Sequence, residues 1–222
     1  MPTIDDRIGN IATEADFEAT YNHPEKAKKS LEFLSERGML PLNLKNPNLK
    51  YLNILGLYAY LSGSLSANHY AMGYNAGIAD TGLNIPVAEL ENQLGLKFSK
   101  RGNLRYQLYL SENGSAYARL LTAMGFHTSY PEPGTRPTKG SEGSRLPPYL
   151  EECIRQYASL SRRDKYLARP LILDFISVWF DTKATPSCST SIHLHLLSQP
   201  SKQQVVEQGE LFVLALNNMH PV

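Results

Sequence analysis

Leu55-Gly56-Leu57-Tyr58-Ala59-Tyr60-Leu61-Ser62-Gly63-Ser64 is the stretch on which the reading of this chain turns. It is an apolar, helix-like run that breaks abruptly into small polar residues and then into strand-like sequence. Leu52, Leu55, Tyr58-Ala59 and Ser62 fall at helical spacing, and Gly63 ends the run. Phe175-Ile176-Ser177-Val178-Trp179-Phe180-Asp181-Thr182-Lys183-Ala184-Thr185 echoes the same plan in the second half of the chain. Two copies of one unit predict a pseudo-symmetric fold with a ligand held between the halves.

The sequence between the two runs divides by its punctuation. Residues 1–50 read as an N-terminal helical extension, with a helix over Phe17 to Arg37 stopped by Gly38 and an Asn-rich connection framed by Pro41 and Pro47. Residues 51–129 form a first unit. After its opening helix, Ser64 to Ile85 predicts two strands joined by a loose turn, and Val87 to Leu94 a helix closed by Gly95. Leu104 to Leu110 is the clearest strand: Leu104, Tyr106, Leu108 and Leu110 face one way, Arg105, Gln107 and Tyr109 the other. A short amphipathic helix over Ser115 to Gly125 completes the unit. Residues 130–148 are a Pro/Gly linker. Residues 149–222 form a second, shorter unit, with a helix from Tyr149 to Ser159, a nearly all-apolar run from Leu171 to Phe180, a strand from Ser191 to Leu196 and a final helix from Gln203 to Asn217.

Composition bounds the function. The 222 residues are 42% apolar, enough for a sizeable core, and the formal net charge is only +1. That small number conceals an asymmetry: from Lys97 to Arg169 there are 13 Lys/Arg against 6 Asp/Glu. A basic block in a neutral protein points to a polyanion-binding face, nucleic acid first; the alternative is a solvated surface whose charges cluster by chance. Cys153 and Cys188 make neither a disulfide framework nor a zinc site, so two reduced thiols and a reducing compartment, organelle matrix or cytoplasm, are expected. No apolar run reaches the ~18 residues of a membrane span, and Met1 to Asn10 lacks the apolar core of a signal peptide.

The helix–strand–strand–helix–strand–helix order, with its partial second copy, resembles the LAGLIDADG homing endonucleases and their relatives that assist intron splicing. Leu55 to Ser64 lies over the family's Leu-Ala-Gly-Leu-Ile-Asp-Ala-Asp-Gly-Ser pattern: Leu55, Gly63 and Ser64 agree, and Ser62 takes the place of the metal-binding acid. Phe180 to Thr185 resembles the variant Phe-Asp-Thr-Asp-Gly-Ser, with Asp181 on the earlier, non-catalytic acid and Lys183 where the metal ligand belongs. Glu89 to Leu96, Tyr106 to Ser111 and Ala118 to Phe126 resemble the family's middle helix, late strand and closing helix. The likeness runs from about Tyr51 to the C-terminus. It implies an α+β, two-unit fold whose motif helices pack at a pseudo-dyad, a saddle of two sheets for double-stranded DNA or structured intron RNA, and Mg²⁺ at the helix ends if the protein cleaves. A rival register, Ala76 to Gly82 with Asp80 as the carboxylate, leaves too few residues for two strands before Val87.

The chemistry then follows from the residue types. Two-metal phosphodiester hydrolysis needs anionic oxygen ligands. A hydroxyl at Ser62 and an ammonium at Lys183 predict that cleavage is impaired or lost while binding remains. Arg105, Gln107, His193 and His195 are expected to face a groove, and Lys97, Lys100, Arg101, Arg162, Arg163 and Lys165 to meet phosphates. Each strand alone is equally well explained as an ordinary half-exposed sheet. His193 and His195 also sit at a spacing that could share a metal ion, although no Cys or Glu stands nearby at ligand spacing. Two other classes stay open: a winged helix-turn-helix regulator built on Val87 to Leu96 and the helix at Ser115, and a structural ribonucleoprotein subunit. Phosphate loops, dinucleotide fingerprints and His-Glu-x-x-His are absent from the sequence.

Overall fold

The computed structural model describes residues 4, 8–21, 23, 25, 27–65, 72–75, 87–101, 105–108, 112–126, 146–186, 192–194 and 202–219. At 62–65, 72–75, 87, 99–101, 105–108, 112–113, 181–186, 192–194, 202–205 and 208 only the backbone is described. The chain is α+β and mostly helical. In order it runs β1 (Asn10–Ala12), α1 (Glu14–Glu18), α2 (Lys28–Glu36), β2 (Leu42–Asn43), α3 (Leu49–Ser62), β3 (Gly63–Leu65), β4 (Met72–Asn75), α4 (Val87–Leu94), β5 (Ser99–Arg101) and β6 (Arg105–Leu108). Next come α5 (Glu112–Ala123), α6 (Pro148–Gln156), a 3₁₀ turn (Tyr157–Ser159), α7 (Arg162–Lys183), β7 (Ala184–Pro186), β8 (Ile192–Leu194) and α8 (Lys202–Met219).

The centre is the pairing of α3 with α7. Every residue of α3 from Leu52 to Leu61 is buried, as are Ala168, Leu171, Ile172, Phe175, Val178 and Trp179 on one side of α7. Both helices pass without a break into a strand. The strand after α3 opens an antiparallel sheet of order β3-β4-β6-β5, and the strand after α7 pairs with β8. Helix α8 closes over α7 through Phe212, whose ring lies 4.6 Å from Trp179 and 6.2 Å from Phe175. Trp179 and Phe180 therefore belong to the packing, as their apolar context implies.

Several expected boundaries move, each for a physical reason. The single helix foreseen over Phe17 to Arg37 is two. Thr13 and Asp16 form a reciprocal capping box that starts α1 early, and α2 begins only at Lys28. The N-terminal region is also not purely helical, since β1 pairs with β2, and its Ile4, Phe17, Leu34, Met39 and Leu42 are buried in the same core as α3. The Asn-rich connection satisfies carbonyls beyond the end of α2. The Asn46 and Asn48 side chains donate to the Gly38 carbonyl, and Asn48 also to that of Arg37. Helix α7 does not start after Pro170 but runs through it from Arg162. Pro170 is exposed, and so is Tyr166, whose carbonyl it deprives of a partner, so water can replace the lost hydrogen bond.

Gly56 and Gly125 act together. Gly125 adopts φ +94°, which turns the chain out of α5 and lets the Phe126 amide reach back to the Leu121 carbonyl at 3.0 Å. That turn lays the Phe126 ring against Gly56, where any Cβ would collide with it. Gly56→Ala is expected to cost about 1–3 kcal/mol from overpacking. Phe126→Leu in the same chain should recover part of the loss in urea denaturation, and equal stability of Gly56→Ala and its parent would contradict the contact.

Buried protons give the fold an alkaline limit. Burial pushes the Cys153 thiol up to about 12, with Glu152 adding to it. Burial also pushes the Tyr117 phenol up to about 12 against the opposing pull of Arg37. The unfolded chain ionises these groups at their ordinary values of 9.0 and 10.0, so above pH 9 it releases protons that the folded chain retains. Their contribution is complete below pH 9 and is lost as pH rises toward 12. The urea midpoint should fall over that range, with a later onset in Cys153→Ala; a midpoint flat through the window would contradict the assignment.

Candidate functional site

Backbone register assembles one polar face on the four-stranded sheet. Ser64 pairs with Gly73, Gly73 with Gln107, and Gln107 with Ser99. The next row on the same face is Asn75, Arg105 and Arg101. The opposite face carries Leu65, Met72 and Leu108 in one row and Gly63, Tyr74, Tyr106 and Lys100 in another. The alternation expected along Arg105 to Leu108 thus extends across all four strands. Tyr109 lies outside the described residues.

This register separates residues that the sequence groups together. Lys100 falls on the face of Tyr74 and Tyr106, not on that of Arg101, because neighbouring strand positions point to opposite faces. Lys97 is exposed between α4 and β5. On the smaller sheet His193 pairs with Thr185, while Ala184–Leu194 and Pro186–Ile192 take the other face; His195 and Asp80 lie outside the described residues. Arg162, Arg163 and Lys165 occupy the first turn of α7, whose 22 residues span ~33 Å before β7 begins. They lie at the far end of that helix from the strand carrying Thr185.

The basic block also contains cations with structural work. Arg119 on α5 stacks over the Tyr21 ring at 3.5 Å and donates through Nη1 to the Thr20 carbonyl, fastening the end of α1. Arg155 pairs with Glu151 one turn away at 2.7 Å.

The two motif positions are the ends of the central helices. Ser62 is the last residue of α3 and Lys183 the last of α7; Asp181 lies in the final turn of α7. A neutral hydroxyl and an ammonium do not fit a hard divalent cation, which takes carboxylate and carbonyl oxygens. A lysine at a helix C-terminus instead complements the helix dipole. Among the described residues no group of three or more His, Cys, Asp or Glu is placed to hold a metal ion, and no helix is long and apolar enough to cross a membrane.

What holds the central helices in register is a buried polar chain that sequence reasoning missed. Tyr149 on α6 donates its hydroxyl to Asn53 Oδ1 at 2.7 Å, and Asn53 Nδ2 reaches Asp174 Oδ2 at 3.4 Å. All three residues are buried. Asn53 stands nine residues before Ser62, and Asp174 nine before Lys183. The signal was present as an amide within the apolar run of α3 and a carboxylate within the apolar stretch Leu171 to Phe180 of α7. Burial, with Cys153 and Asp174 adding to it, holds the Tyr149 phenol well above its usual range, so it stays protonated as the donor. Asn53→Ala strands the Tyr149 hydroxyl and removes a donor from Asp174, and should cost about 2–3 kcal/mol in chemical denaturation. Tyr149→Phe should cost about 1 kcal/mol; a neutral Asn53→Ala would show that the chain does not secure the pairing.

Comparison with known proteins adds no relative: no family model, no curated protein and no solved structure matches the chain.

Proposed function

We propose that this chain is a nucleic-acid-binding protein of LAGLIDADG type that has lost metal-dependent cleavage. The observation that carries the reading is the polar sheet face of Ser64, Gly73, Asn75, Ser99, Arg101, Arg105 and Gln107. Arg101 stands directly opposite Arg105, and like charges in register across two strands destabilise a sheet. An arrangement that opposes folding is accounted for if a polyanion lies against that face. Phosphates would neutralise the arginine pair, and Gln107, in the next row of the same face, is of a residue type that hydrogen-bonds base edges.

The element order supports the family reading. Helix α3 leads to two strands, a helix, two strands and a helix, and α7 leads to two strands and a helix. The equal spacing of Asn53 and Asp174 from their helix ends supports a pseudo-dyad between α3 and α7, with Ser62 and Lys183 as equivalent positions. A winged helix-turn-helix draws less support, because the strands after α4 join β4 in one four-stranded sheet instead of forming a separate wing. With Ser62 and Lys183 in the places of the metal-binding acids, cleavage is not part of the proposal. A splicing-type helper on structured intron RNA and a binder of double-stranded DNA share this surface, and ligand preference separates them.

A salt-dependent titration on duplex DNA and on structured intron RNA tests the reading. The protein should bind one of them with a steep salt dependence. Arg101→Ala/Arg105→Ala should flatten the duplex slope by about 2, near 0.9 for each phosphate no longer neutralised. Added Mg²⁺ should produce no cleavage. Absence of binding, or an unchanged slope in the double variant, removes the sheet as the interface; cleavage would mean that Ser62 and Lys183 do not mark the metal site.

A further inference from the structure

Helix α7 presents a second surface, apart from the sheet. At 100° per residue, Arg162, Tyr166, Arg169 and Leu173 fall within an arc of about 60°. All four are exposed, Tyr166 at 81% and Leu173 at 40%. The arc lies opposite the side that buries Leu171, Phe175 and Val178 against the core. Arg163 is exposed at one margin, and Lys165 lies at the other with its ammonium 5.5 Å from the Tyr157 ring. The carboxylate within this segment, Asp164, is 5% exposed and engaged with Ser161 at the helix cap, so it leaves the surface cationic.

The placement runs against helix stability. Cations in the first turn oppose the positive end of the helix dipole, yet Arg162 and Arg163 open α7. Among the described residues neither they nor Arg169 has an ion-pair partner. Tyr166, one turn after Arg162 and three residues before Arg169, offers an exposed aromatic face on the same arc.

We infer that this stripe binds a nucleic-acid strand with unpaired bases, its arginines meeting successive phosphates and Tyr166 stacking on a base. Guanidinium groups alternating with an exposed aromatic ring match the two elements of a single strand, a charged backbone and a π-face at each base. A duplex offers the charge without the accessible face. The inference does not rest on the sheet reading, because ~33 Å of helix separates Arg162 from β7.

The test uses the full chain and two fluorescent probes: an unstructured oligouridylate of about 20 nucleotides and a duplex DNA of about 20 base pairs. The wild type should bind the oligouridylate. Tyr166→Ala should weaken that binding by about 5- to 100-fold with no change in salt slope, while Tyr166→Phe should retain it. Arg162→Ala/Arg163→Ala/Arg169→Ala should flatten the slope by about 2, near 0.7 per phosphate. Arg101→Ala/Arg105→Ala should leave oligouridylate binding intact, so loss at the stripe and loss at the sheet are read on different variants. All substituted stripe residues are exposed, and thermal melts should match the wild type; if the triple variant fails to fold, the Tyr166 pair decides. Absence of oligouridylate binding, equal binding by Tyr166→Ala and wild type, or equal competition by polyglutamate would overturn the proposal, the last in favour of an acidic protein partner.

Discussion

The hydrogen-bond chain from Tyr149 through Asn53 to Asp174 sets the terms on which the central helices meet. Apolar packing between two helices is tolerant of sliding, because one methyl group serves nearly as well as the next. A buried amide is not tolerant. Shifting α7 by a turn would break the Asn53–Asp174 contact, at the desolvation cost of any group left unpaired. Since α3 and α7 each run directly into a strand, fixing their register also fixes the origins of β3 and β7.

Packing around this pair is correspondingly specific. Gly56 admits the Phe126 ring to the side of α3, and the α5 turn at Gly125 delivers it. Tyr117, also on α5, donates its hydroxyl to the Leu94 carbonyl at 2.6 Å, which ties the end of α4 to the same helix. Asn218 near the end of α8 donates to the Ile154 carbonyl at 2.8 Å, joining that helix to α6. The links connect helix ends and turns, where backbone groups need partners, so polar satisfaction and tertiary order are achieved by the same contacts.

Much of this architecture was legible in the sequence, for reasons that differ by element. The apolar run that Gly63 closes survives as α3, and the alternation along Arg105 to Leu108 survives as β6. The reading failed where a tertiary effect outweighed a local one. Pro170 looked like a boundary, but its solvent-facing position lets α7 continue through it. Phe17 to Arg37 looked continuous, but α1 ends at Glu18 and α2 starts only at Lys28. Asn53 and Asp174 were passed over because periodicity counts apolar residues, whereas the informative ones here are the polar exceptions. Lys100 was grouped with Arg101 on charge alone; pairing between strands, which no local pattern encodes, puts them on opposite faces.

The same distinction changes the meaning of the basic block. As a count, Lys97 to Arg169 is one surplus of positive charge. In the fold it resolves into parts with different physics. Arg119 is engaged with Tyr21 and Thr20, and Arg155 with Glu151. Arg101 and Arg105 oppose each other across two strands, and Arg162 and Arg163 stand on a helix start that their charge disfavours, with Arg169 two turns further along. The first two are explained by the fold they stabilise. The last two groups work against it, and departures from local stability are where function is expected to reside. The cations whose positions the fold does not favour lie on two surfaces, one along the sheet and one along the opening turns of α7.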